Sequence, residues 1–216
     1  MNNNLTEMVF ILDRSGSMEG LVSDTIGGFN SMIEKQKKEE GGAVVTTVLF
    51  DNQYEILHNH VNIKDVQPIT EKEYFARGTT ALLDAVGKTI AQVEHRQNFA
   101  DGDNTPAKTM VVIITDGYEN ASQEYTYETV RKMITAQQEK HGWEFIFLGA
   151  NIDAEKVGGS MGISADRSVN YVCDGDGTAE NFAGISMAAT ALRSVEGTIN
   201  NDWRKNIDKD YKNRRK

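Results

Sequence analysis

The 216-residue chain has one cysteine, Cys173, and only two prolines. A single thiol forms no internal disulfide, so the fold must be held by its core, and nothing calls for an oxidising compartment. Two prolines exclude a collagen-like chain or a long proline-rich linker. Also missing is any apolar run near the roughly 20 residues that cross a bilayer. The first apolar stretch, Met8 to Leu12, is too short for a signal segment, and Met1-Asn2-Asn3-Asn4 ahead of it carries no basic side chain. The sequence therefore predicts a soluble, cytoplasmic protein with no membrane partner. Basic charge is scarce as well, with 23 Lys plus Arg against 32 Asp plus Glu, a net of −9. Broad nucleic-acid binding needs a basic surface, so that class is disfavoured and cations become the better ligand.

What is present is enough apolar content, 39%, for one well-buried domain. Apolar runs alternate with helical stripes, the pattern of βαβ units. Met8 to Leu12, Met110 to Ile114 and Phe145 to Leu148 are continuous runs, as in parallel strands covered on both faces. Ala43 to Phe50 and Tyr54 to Val61, with Asp51-Asn52-Gln53 between them, predict a hairpin and hence one antiparallel edge strand. Val169 to Cys173 is a weaker strand. Four stripes predict helices: Val22, Ile26, Phe29 and Ile33; Leu82, Val86, Ile90 and Val93; Tyr127, Val130 and Ile134; Phe182, Ile185, Ala189, Leu192 and Ile199. The predicted fold is a doubly wound, Rossmann-like, mostly parallel sheet with helices on both faces, over residues 1–199. Residues 200–216 hold seven basic and three acidic side chains and are expected to form a solvated basic tail.

In such a sheet, ligands bind beyond the carboxyl ends of the strands, near the point where strand order reverses. Two apolar runs end there in aspartate: Asp13-Arg14-Ser15-Gly16-Ser17 and Thr115-Asp116-Gly117. A third polar segment, Arg77-Gly78-Thr79-Thr80, precedes the Leu82 helix. Oxygen ligands at i, i+2 and i+4 through a glycine turn can converge on one hard divalent cation, as Asp13, Ser15 and Ser17 would. With Thr80 and Asp116 added, the ligand shell is rich in neutral hydroxyls. Such a metal stays electrophilic and can take a carboxylate from outside.

At these residues the sequence resembles the von Willebrand factor type A domain and its metal-ion-dependent adhesion site. The family pattern of Asp-x-Ser-x-Ser, a later Thr and a later Asp matches Asp13, Ser15, Ser17, Thr80 and Asp116. Thr80 is preferred because Thr80-Ala81-Leu82-Leu83-Asp84-Ala85-Val86 fits the family's segment, with Thr79 as the fallback. The resemblance implies Mg2+, or Mn2+ or Ca2+, at those five residues, capture of an Asp or Glu from a protein partner, and no catalysis. Without cysteine pairs or a membrane segment, the chain is similar to the intracellular bacterial or phage branch, whose members work beside AAA-type ATPases, in tellurite-resistance clusters or in metal insertion.

Two other functions compete. A haloacid-dehalogenase-like phosphotransferase would use Asp13 as nucleophile, but it expects a second Asp where Ser15 stands. A scaffold would bind through the basic tail. Singly, each site residue also has a plainer reading, such as Ser17 capping the Val22 helix. Arg14, Met18, Glu19 and Tyr118 are expected around the metal, either facing a partner or merely on the surface. Asp174-Gly175-Asp176-Gly177-Thr178 lacks the later glycine and glutamate of a calcium loop and reads as a turn. Asp101 and Asp103 lack a visible convergent partner. Gly158 to Gly162 follows a helix, not a strand, and fails as a nucleotide fingerprint. His58, His60, His95 and His141 have no zinc spacing.

Overall fold

The structure, a computed structural model, describes residues 4–100 and 105–214. The first three residues, residues 101–104 with Asp101 and Asp103, and the last two basic residues, Arg215 and Lys216, lie outside the described residues. Six strands form one sheet: β1 (Thr6–Asp13), β2 (Ala43–Phe50), β3 (Tyr54–Asn62), β4 (Lys108–Thr115), β5 (Glu144–Gly149) and β6 (Ser168–Asn170). Their order is β3-β2-β1-β4-β5-β6, with β3 the antiparallel edge and every other pairing parallel. The chain thus winds outward from β1 in one direction and then, from β4, in the other. The reversal lies between β1 and β4.

The side-chain period of two in β1 divides the molecule into two cores. Met8, Phe10 and Leu12 face α1 (Val22–Gln36) and α5 (Gly175–Arg193), whereas Val9 and Ile11 face α2 (Leu82–Asn98), α3 (Tyr127–His141) and α4 (Ala154–Ser160). This is why the central runs are apolar without alternation: both faces are covered. On the first face α1 and α5 approach closely. A methyl group on Gly28 would meet the Phe182 ring at 2.2 Å, so the absent side chain sets the spacing.

Three expectations need correction. β6 stops at Asn170 rather than reaching Cys173, because the chain turns so that Asp174 can cap α5, accepting from Gly177 N–H at 2.9 Å. α5 ends at Arg193, short of Ile199, where Ser194 and the left-handed Gly197 turn the chain back. The third concerns the expected solvated tail. Residues Lys205–Arg214 form a helix, α6, and Trp203 and Ile207 are buried in the first core. Two apolar anchors at i and i+4 outweigh the charge around them. Among the described residues, no helix is long and apolar enough to cross a membrane.

Candidate metal centre

The strand ends at the reversal point bring the predicted residues to one rim. Asp13 closes β1, and its side chain is fully buried. One carboxyl oxygen accepts from Ser15 N–H at 2.6 Å, the other from Thr115 Oγ1, also at 2.6 Å. Since Thr115 ends β4, the second bond ties the two central strands together where they diverge. The tight turn after Asp13 continues as a 3-10 turn over Gly16–Leu21. It places Ser15 Oγ 3.2 Å from Ser17 Oγ, and Ser17 Oγ donates to Asp116 Oδ1 at 2.5 Å.

Thr80 arrives from the loop before α2. It is buried, whereas Thr79 is exposed, so the loop presents Thr80 inward. Gly117 marks the meeting point: a methyl group there would lie 3.6 Å from Ser17 Oγ and 3.7 Å from Thr80 Oγ1. Asn120 fixes that threonine by its backbone, with Oδ1 accepting from Thr80 N–H at 2.9 Å and its own N–H donating to Thr80 carbonyl at 3.0 Å. Glu119 accepts from Leu83 N–H at 2.9 Å, and Ser122 Oγ accepts from Asp84 N–H at 3.0 Å. The segment after β4 therefore satisfies the open N–H groups of the first turn of α2, which has no cap of its own. All five predicted residues converge.

The electrostatics of this cluster favour a cation. Burial raises the Asp13 carboxyl from 3.8 to about 6, against the hydrogen bonds from Thr115 and Ser15, and the charge of Asp116 adds to the rise. Burial also raises Asp116, opposed by the Ser17 hydroxyl. Among the described residues, no Lys, Arg or His pairs with either carboxyl. The nearest guanidinium in sequence, Arg14, is committed to Asp51 and Glu55. No group of three or more His, Cys, Asp or Glu able to hold a metal occurs among the described residues. The cluster instead offers two carboxylates and three hydroxyls, a donor set suited to a hard ion.

Other expected neighbours fall elsewhere. Arg14 and Met18 are buried, so neither faces a partner, while Glu19 and Tyr118 are exposed beside the site. Ser17 makes no cap to α1. Asp174 pairs with Arg214 at 2.5 Å as well as capping α5, which accounts for the calcium-loop-like segment. His58 stacks on Phe29, and His60 lies by Glu7.

Several residues around the centre carry no sequence signal. Tyr74 donates its hydroxyl to the Asp13 carbonyl at 2.5 Å from far along the chain. Cys173 lies with its sulfur 4.0 Å from Asp116 Oδ2, and burial and that carboxylate both push the thiol up. Asn120 and Glu119 sit in a polar stretch that reads as an ordinary loop.

No family model and no curated protein matches the sequence. Solved structures do match its fold. A von Willebrand factor type A protein from Catenulispora acidiphila superposes with a TM-score of 0.57 at 17% identity, over 86% of this chain and 42% of that one. The ArnB paralog VWA2 from Sulfolobus acidocaldarius gives 0.51 at 16%, over 88% and 45%. Proximal thread matrix protein 1 from the mussel byssus, with a zinc-occupied MIDAS motif, gives 0.59 at 13%, over 86% and 46%. The chain spans less than half the length of each of these proteins. At such identities the likeness speaks for architecture, and this chain has the von Willebrand factor type A fold.

Proposed function

From a von Willebrand factor type A fold with this oxygen cluster at its reversal point, we propose that the chain is a metal-dependent protein-binding module. Asp13, Ser15, Ser17, Thr80 and Asp116 hold one divalent cation, Mg2+ or else Mn2+ or Ca2+. The bound ion supplies a Lewis-acidic position for an Asp or Glu carboxylate of a partner protein. The observation that carries this reading is the meeting of two buried carboxyls and three hydroxyls with no basic side chain among the described residues to balance them. The chain's residues do the rest: Thr115 and Ser15 N–H orient Asp13, Ser17 bridges toward Asp116, and Asn120 holds Thr80. A partner from an AAA-type ATPase system is one class that the sequence resemblance supplies.

Binding is favoured over phosphoryl transfer by what stands two residues after Asp13. A phosphotransferase of that type needs a second carboxyl there as general acid, and this chain has Ser15, whose hydroxyl lies 3.2 Å from Ser17 Oγ. Affinity capture in magnesium and in excess chelator tests the module. Partner retention is expected only with metal, and loss is expected in Asp13→Ala. Capture that survives both treatments refutes the reading. The exposed basic pair Lys209 and Lys212 on α6, reversed to Glu, tests the scaffold alternative without deleting a packed helix.

A further inference from the structure

Asp51 lies at the tip of the β2–β3 hairpin, is almost wholly buried, and binds no ligand-bearing side chain of the centre directly. Its two carboxyl oxygens divide the work. Oδ1 accepts from Gln53 N–H at 2.7 Å and shapes the hairpin turn. Oδ2 accepts from Arg14 Nε at 2.9 Å and from Arg77 Nε at 2.8 Å. Its backbone carbonyl accepts from Ala81 N–H at 3.0 Å. One residue thus grips Arg14, which stands between Asp13 and Ser15, and both ends of the loop from Arg77 to Ala81 that presents Thr80.

The two gripped loops are also bonded to each other. Gly16 N–H donates to Gly78 carbonyl at 3.2 Å and Arg77 N–H to Arg14 carbonyl at 2.8 Å. The guanidinium carbons of Arg14 and Arg77 lie 5.7 and 5.1 Å from the centre of the Phe75 ring, so the two cations share one carboxylate and one aromatic face. The loop passes close to the hairpin at Gly78, whose φ of +68° is one that side-chain-bearing residues rarely adopt, and a methyl group there would displace the exposed Asn52 side chain. A turn alone needs only Oδ1. The second oxygen, with two guanidiniums on it, goes beyond what a hairpin requires.

We propose that Asp51 is a positioning residue of the metal centre: through Arg14 and Arg77 it sets the distance of Ser15 and Ser17 from Thr80. This rests on the metal-binding reading of the centre. Groups that orient metal ligands from behind typically change metal affinity by about 10–100-fold when replaced.

Asp51→Asn keeps the turn acceptor and replaces the shared oxygen with an amide that faces two donors. The matched control is Glu7→Gln, which removes the charge of a similarly buried carboxylate paired with Arg96 at the other end of β1, about 20 Å from Asp13 along the strand. Two readouts are taken on each chain: calorimetric Mn2+ affinity, and hydrogen exchange at the Gly16 and Arg77 amides without metal. Asp51→Asn is expected to weaken Mn2+ by about 10–100-fold and to speed exchange at both amides, while Glu7→Gln changes neither. Arg77→Gln, at a half-exposed position, releases the same grip if Asp51→Asn does not fold, and should shift both readouts in the same direction. A folded Asp51→Asn or Arg77→Gln with unchanged affinity and unchanged exchange overturns the assignment, as does an equal loss in Glu7→Gln. No Mn2+ binding by the unaltered chain refutes the metal reading itself, a result distinct from any of these.

Discussion

Among the described residues, no basic side chain pairs with Asp13. It is buried to zero exposure, raised to about 6 mainly by that burial, and set near a second raised carboxyl, Asp116. A buried charge without a counter-charge costs stability unless a ligand compensates it. Asp13→Asn keeps a side chain of the same shape and can still bond Ser15 N–H and Thr115. It is therefore expected to abolish metal binding and to raise the unfolding midpoint of the metal-free chain by several degrees, as differential scanning fluorimetry in chelator would show. A lowered midpoint would mean that the carboxylate serves structure. Asp13, Ser15 and Ser17 were legible because their relation is local, two residues apart on one turn. Asp116 was legible because it follows an unbroken apolar run. Asp51, Tyr74 and Asn120 were not, since each acts on a residue distant in sequence and no periodicity reports such a meeting. The same limit explains Arg14, whose charge reads as surface and whose partner Asp51 lies 37 positions on.

Elements differ in how far their sequences bind them. The central strands were readable because burial on both faces leaves unbroken apolar runs, and the hairpin because its tip is polar and its first arm is rich in β-branched residues. β6 escaped the pattern: three residues suffice when the chain must leave the edge to let Asp174 cap α5. α6 was hidden by composition, since seven basic residues obscure the two that anchor it. Arg204 pairs with Asp208, Lys205 with Asp202 and Arg214 with Asp210 and Asp174, so much of that charge is answered locally. With Trp203 2% exposed and Ile207 1%, the end of the chain is part of the first core. Trp203→Ala is expected to cost about 3–5 kcal/mol in urea unfolding. A cost below about 0.5 kcal/mol, the level of an ordinary surface change, would restore the picture of a solvated tail.

At the scale of the whole molecule, an acidic chain of net −9 presents a rim of unbalanced oxygen atoms where its sheet reverses direction. The fold brings three separate loops there, after β1, before α2 and after β4, and two sets of contacts join them. Asp51 links the first to the second, and Asn120 links the second to the third while Glu119 and Ser122 tie the third to the first turn of α2, in addition to the direct bond from Ser17 to Asp116. On the proposed reading the site binds an ion only in the folded state, so the ion would stabilise the fold by mass action, about 2.7 kcal/mol at a hundredfold excess over Kd. The most direct test of the account is calorimetric titration of Mn2+ and Mg2+ into the metal-stripped chain, beside Asp13→Asn. The account predicts saturable binding of one ion per chain, lost in the variant. Absence of binding by the unaltered chain, or equal binding by both, would contradict it.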